Sequence, residues 1–287
     1  MRTRILPQDA PTAAPDAGAH RPNYLVIGAQ RGGSTWIWSQ LRKHPQFFVA
    51  PTKELEFFSY RKNLNDERWQ QYLAHFAPGA AHHWRGECTP SYFMSVNEDS
   101  PWYSRISGFN QNIPASIRDY LGPDVRLVLS LRHPVERAVS AFFHHAAMGR
   151  IGGGANIFSA GRDHAIIDAG FYARHLKVWL KYFPIEQFFI CTTYQIEQSP
   201  TDTLDRLRRF FGRELLPFQD PEPPLNQGAR RVSIGGRLVP LRRLLSGPSV
   251  RAGDVRRLEE IYAADIEELE RLLRQPLFTP WYRPPIS

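Results

Sequence analysis

The apolar run Tyr24-Leu-Val-Ile27 gives way to Gly28-Ala-Gln-Arg-Gly-Gly33 and then to Ser34-Thr35. A short apolar, β-branched stretch running into a glycine loop and a helix start is a strand-turn-helix unit, and few architectures accommodate one. Gly28, Gly32 and Gly33 let backbone amides face an anion, and the first amides of the following helix complete the cradle. Such a loop holds phosphate or sulfate. The spacing from Gly28 to Gly33 fits the first half of the Walker pattern GxxxxGK[ST], but Ser34 stands where that pattern needs its lysine. An ATPase is therefore disfavoured from the outset.

Further strand and helix patterns follow along the chain. Residues 1–22 are rich in Pro, Ala and Asp without periodicity and read as a disordered lead-in, leaving 23–287 as one domain. Helix is expected over Thr35–Lys43, Asp66–Phe76, Ser116–Leu121, from Pro134 through His145, and over Phe171–Tyr182, Leu204–Phe211 and Val255–Leu273. Strands are expected at Phe47–Val49, Arg126–Leu131 and Phe188–Thr193. Strands alternating with helices predict an α/β fold, a P-loop-type three-layer sandwich around a central parallel sheet, with ligands at the strand C-terminal ends. The Pro-, Gly- and Arg-rich stretch 217–236 is long enough for a functional loop.

Composition narrows the partners. No apolar run is long enough to span a bilayer, and the N-terminus lacks the continuous apolar core of a signal peptide, so a soluble, cytoplasmic protein is expected. The two cysteines, Cys88 and Cys191, form at most one disulfide and cannot build a zinc site unaided; both read as reduced. A formal charge of +8 suits an acidic partner, yet there is no RNA-binding signature or cysteine-histidine finger, and nucleic acid is not expected.

Three groups of residues carry chemistry. Arg31, inside the glycine loop, is a permanent cation that can clamp phosphate or sulfate through two parallel hydrogen bonds. Lys53-Glu-Leu-Glu-Phe-Phe58 places Glu54 near two phenylalanines, which would raise its proton affinity towards that of a general base, while Lys53 pulls the other way. The same stretch also reads as a solvated charge cluster before two core phenylalanines. Arg132 follows a strand, and Ser140 lies eight residues later in the next helix, so both side chains can reach one anion. A nucleoside triphosphatase would carry a magnesium-binding aspartate at that strand end; Arg132 stands there instead, which suits sulfuryl transfer without a metal. His144-His145 is a second candidate base, and His82-His83 lacks partners at metal-ligand spacing.

Taken together these residues resemble the sulfotransferase family that uses 3′-phosphoadenosine 5′-phosphosulfate (PAPS), in particular its heparan sulfate sulfotransferase branch and bacterial relatives. Gly28-Ala-Gln-Arg-Gly-Gly-Ser-Thr-Trp36 resembles the 5′-phosphosulfate loop, and Lys53-Glu-Leu-Glu-Phe-Phe58 the KExHFF segment. Glu87-Cys-Thr-Pro-Ser-Tyr-Phe93 resembles EKTPxYF, Arg132 to Ser140 the 3′-phosphate motif, and Phe171 to Pro184 the helix that follows. The resemblance implies that Arg31, Gly32, Gly33, Ser34 and Thr35 bind the 5′-phosphosulfate, that Arg132 and Ser140 bind the 3′-phosphate, and that Glu54 and Arg31 are catalytic. It adds Gly228, Arg230 and Arg231 as a basic loop over the nucleotide, with PAPS as co-substrate and no metal. The acceptor is a hydroxyl or amine, and a glycan fits. Three positions depart from the pattern: Arg31 replaces the usual loop lysine, Glu56 the histidine of KExHFF, and Cys88 the lysine of EKTP. The residues alone leave two rivals open, a P-loop small-molecule kinase and a non-enzymatic polyanion-binding module. Trp84, Tyr92, Trp102 and Tyr103 are aromatic candidates for an acceptor pocket.

Overall fold

The computed structural model describes residues 20–95, 108–152, 154–219, 221, 231–234, 237–240 and 249–278, with the backbone alone at 231–234 and 237–240. Its elements in chain order are β1 (Tyr24–Gly28), α1 (Ser34–Lys43), β2 (Phe47–Val49), α2 (Asp66–Ala74), β3 (Trp84–Cys88), α3 (Ile113–Leu121), β4 (Arg126–Leu131) and α4 (Pro134–Ala147). They continue with α5 (Ile157–Gly161), α6 (Tyr172–Trp179), β5 (Phe188–Thr192), α7 (Thr193–Gln198), α8 (Pro200–Phe211), β6 (Arg231–Ile234), β7 (Arg237–Pro240) and α9 (Ala252–Leu273). The first five strands form one parallel sheet in the order β2-β3-β1-β4-β5, and β6 and β7 pair as a separate antiparallel hairpin.

Alternation along β1 shows why the sheet needs helices on both faces. Leu25 and Ile27 enter a core with Phe58, Trp69, Tyr92 and Trp179, while Tyr24 and Val26 enter another with Trp36, Ile37 and Phe211. Every residue of β1 is buried, as a central parallel strand requires. The expected α/β sandwich is therefore present. Helix starts follow local chemistry: the Asn65 side chain accepts from the Arg68 amide at 3.0 Å to cap α2, and Asn112 caps α3 with Pro114 in its first turn. The apolar stripe of α9 buries Leu258 and Tyr262 against Phe142, Ile157 and Ile167, closing a third cluster beside α4.

One central strand is absent from the sequence reading. Trp84–Cys88 carries Gly86 and Glu87 in its middle, which breaks any apolar pattern, yet β3 lies between β2 and β1. Gly86 is required by its neighbour: a Cβ there would stand 2.3 Å from the Tyr24 carbonyl oxygen and 2.5 Å from its ring. Gly86→Ala is expected to cost about 1–3 kcal/mol through overpacking. A urea midpoint equal to that of the parent would show that β1 and β3 have room to spare.

The helix-rich side of the fold also sets an acid limit. His175 is fully buried; its Nδ1 accepts from the Ser95 amide and its Nε2 donates to the Asp168 carbonyl, which defines a neutral ring. Burial, then the Arg174 charge, pulls its pKa down to about 3, and burial with neighbouring His164 pulls His145 down to about 4. Above pH 6.5 both rings are neutral in the folded and unfolded chains. Below it the unfolded chain takes up protons that the folded chain refuses, so stability falls from about pH 6.5 towards pH 4 and, for His175, on towards pH 3. Urea midpoints measured at pH 7, 6 and 5 should decline in that order; midpoints independent of pH over this range would contradict buried neutral rings.

Candidate active site

The glycine loop sits at the C-terminal end of β1, clamped between β4 and α7. A Cβ on Gly32 would stand 2.3 Å from the Ser130 carbonyl oxygen of β4. Gly33, at φ 98°, has Thr193 and Ile196 of α7 at 3.2 and 3.3 Å from a Cβ position. Only glycine combines that φ with that proximity. The Ala29 amide donates to the Ser130 carbonyl at 2.7 Å, tying the loop to the end of β4. No side chain caps α1 at Gly33, so its first amides are directed at the cradle, where an anion would complete them.

Arg31, also left-handed at φ 65°, turns back from the loop, and its Nε donates to Ser140 Oγ at 3.1 Å across 109 residues of sequence. Arg132 leaves the end of β4 and pairs through Nε with Glu136 Oε2 at 3.2 Å, one turn into α4. Its own carbonyl accepts from the buried Tyr172 hydroxyl at 2.8 Å, which fixes the strand end against α6. The structure thus brings Arg31 and Ser140 into direct contact, and sets Arg132 just past the end of β4, the strand adjoining the loop. Two guanidinium groups, a hydroxyl and a run of amides at one end of the sheet can hold a multiply charged phosphate or sulfate ester.

Glu54 lies on the same end, beyond β2. Its amide donates to the Cys88 carbonyl at the end of β3, and its half-exposed carboxylate pairs with Lys53 Nζ at 2.7 Å. Phe57 and Phe58 are buried in the core against Trp69, Tyr72 and Tyr92, which is the second reading of this stretch, a solvated charge cluster before two core phenylalanines. Glu56 is the more sheltered acid: burial and then the Glu54 charge raise its pKa. Beneath both, Glu87 is fully buried and accepts from Tyr72, Tyr92 and Thr89 hydroxyls at 3.1, 2.8 and 2.6 Å. Sequence reasoning gave Glu87 no role; an acid inside a Trp-Arg-Gly-Glu-Cys stretch followed by Thr and Tyr was the available signal.

Several other candidates are accounted for by packing. Cys88 is buried against α1, its Sγ 3.7 Å from the Ser34 carbonyl, and burial pushes its thiol up to about 12, which leaves no thiolate for nucleophilic chemistry. His145 packs face to face with His164, with ring centroids 4.4 Å apart, while His144 is half-buried one position earlier. Trp84 and Tyr92 are core residues, the first against Phe47 and Phe211, the second on Glu87. Trp102, Tyr103, Gly228 and Arg230 lie outside the described residues, and Arg231 is described by its backbone in β6 alone. Among the described residues no group of three or more His, Cys, Asp or Glu could hold a metal ion, and no helix is long and apolar enough to cross a membrane.

The chain is similar to several known proteins. The chain is 26% identical over 218 residues to mouse heparan sulfate glucosamine 3-O-sulfotransferase 6, covering 73% of this chain and 57% of that protein. It is 28% identical over 201 residues to human heparan sulfate glucosamine 3-O-sulfotransferase 3B1, covering 67% of this chain and 46% of that one. The chain thus spans about half the length of these relatives. Its fold matches that of a sulfotransferase from Alicyclobacillus acidocaldarius with a TM-score of 0.68 at 21% identity, over 92% of this chain and 99% of the other. The model of the sulfotransferase domain family matches residues 21–227, well over half of the 287, and on that match this chain belongs to the sulfotransferase domain family.

Proposed function

We propose that this chain transfers a sulfuryl group from PAPS to an acceptor hydroxyl or amine, and that the acceptor is a carbohydrate. The observation that carries the reading is the contact between Arg31 of the glycine loop and Ser140 of α4, which joins the two segments assigned to the 5′-phosphosulfate and the 3′-phosphate. The fit to the nucleotide rests on a loop packed so closely on β4 that a Cβ at Gly32 would strike the Ser130 carbonyl, and on an uncapped helix start at Gly33. When bound, PAPS supplies the sulfuryl group and a phosphate leaving group. Arg31, Gly32, Gly33, Ser34 and Thr35 would hold its 5′ end through charge and backbone amides, and Arg132 with Ser140 its 3′-phosphate. Arg31 would also oppose the negative charge that grows on the leaving oxygen. Glu54 would take the acceptor proton at its carboxylate, with Lys53 orienting it. Relatives that act on glucosamine of heparan sulfate support a sugar hydroxyl, while Glu56 and Cys88, at positions where the family pattern has His and Lys, favour an acceptor other than theirs.

Calorimetric titration with 3′-phosphoadenosine 5′-phosphate (PAP) tests the donor, with saturable 1:1 binding expected. Transfer of labelled sulfate to heparan sulfate, neutral oligosaccharides and simple phenols then tests the acceptor. No heat with the nucleotide overturns the reading, magnesium-dependent ATP turnover would favour the kinase, and salt-sensitive polyanion binding with no nucleotide requirement would favour a binding module.

A further inference from the structure

The Glu54 segment is strung on one buried acid. Glu54 at φ 65° and Glu56 at φ 54° are left-handed, a conformation unfavourable for a non-glycine residue. The alternation aims successive amides at the end of β3. The Glu56 amide donates to Thr89 Oγ1 at 3.4 Å, and that hydroxyl donates to Glu87 Oε2 at 2.6 Å. The Phe58 amide donates to the Tyr92 hydroxyl at 3.4 Å, which donates to Glu87 Oε1 at 2.8 Å. The Glu54 amide completes the row on the neighbouring Cys88 carbonyl. Two lines of hydrogen bonds, from residues 56 and 58, therefore end on one carboxylate, each through one hydroxyl.

We propose that Glu87 is a positioning residue for sulfuryl transfer: its carboxylate, acting through Thr89 and Tyr92, holds the segment Glu54–Phe58 in the conformation that presents the Glu54 carboxylate to the acceptor. The inference rests on the sulfotransferase reading and deepens it, since it assigns a function to an acid that touches neither nucleotide nor acceptor. Burial raises the Glu87 pKa, and the hydroxyl bonds from Thr89, Tyr92 and Tyr72 oppose that rise, so these donors favour the ionised carboxylate. A carboxamide of the same shape cannot serve, because its NH2 group would face a hydroxyl that is already donating, and one relay would have to turn.

Glu87→Gln tests this in two ways. Hydrogen exchange of the 54–58 amides should quicken at least tenfold while residues 24–35 keep their parent rates. Unchanged exchange, or an equal rise throughout the chain, overturns the proposal. With the acceptor of that panel (heparan sulfate, neutral oligosaccharide or phenol) that the parent sulfates fastest, kcat should fall tenfold or more with the Kd for PAP within twofold of the parent. In a Glu54→Gln background the same change should cost nothing further; an equal loss in both backgrounds marks a purely structural group and overturns the proposal. Should Glu87→Gln not fold, Thr89→Val and Tyr92→Phe each remove one relay and carry the same expectations. Failure of the sulfotransferase reading looks different, because there the parent chain itself binds no PAP, whereas failure of this inference leaves a parent that binds and turns over and a variant that matches it.

Discussion

Glu54→Gln is expected to lower kcat roughly 10²–10⁴-fold, the range that a positioned general base contributes. The substitution keeps the side-chain length and removes only the ability to accept a proton. What ties this residue to the fold is its backbone amide on the Cys88 carbonyl, which glutamine leaves in place, so folding and nucleotide affinity should be those of the parent. The ion pair with Lys53 is half-exposed and contributes little to stability. Steady-state kinetics with calorimetry for PAP separates the possibilities. An unchanged kcat would remove Glu54 from the base role and move attention to the sheltered Glu56. A parallel loss of PAP affinity would mean that Glu54 supports the site rather than acting in it.

Arg31→Ala is expected to lower kcat/KM for the donor by about 10²–10³, the usual cost of removing one preorganised donor from a developing anion. Both residues are non-glycine and must adopt the same left-handed φ of 65°, so the backbone cost is shared and the difference reports the guanidinium. Loss of the side chain also leaves Ser140 Oγ without its Nε donor. Arg31→Lys, which restores the residue usual in this loop, should recover most of the rate but lose the bond to Ser140, since a lysine lacks the planar fork. Equal donor kinetics for parent and Arg31→Ala would place the phosphosulfate elsewhere.

The strand-loop-helix unit at Tyr24–Thr35 was legible because everything that defines it is local: a buried apolar run, glycines at close approaches and a helix start within a dozen residues. The helices carrying Asp66, Pro134 and Leu258 were legible for the same reason, through caps, proline and periodicity. β3 was not legible, since its glycine makes room for Tyr24 and its glutamate is satisfied by hydroxyls from elsewhere, and neither reason is written in the strand itself. α7 escaped because its Thr192 to Gln195 capping box sits directly on a strand end, and the strand pattern hid the helix start. At residues 53–58 the reading of a solvated charge cluster before two core phenylalanines matches the structure, where Glu54 is half-exposed and Phe57 and Phe58 are buried.

By itself, then, the sequence determined a glycine loop without a Walker lysine, an arginine where a metal-binding aspartate would stand, and the α/β alternation around them, because each depends on residues a few positions apart. Only the tertiary structure decided that Arg31 meets Ser140, that Glu54 hangs from the end of β3, and that Glu87 lies beneath it. Those outcomes depend on the strand order β2-β3-β1-β4-β5, which is set by the burial of whole faces of β1 and β3 against distant helices rather than by any local preference.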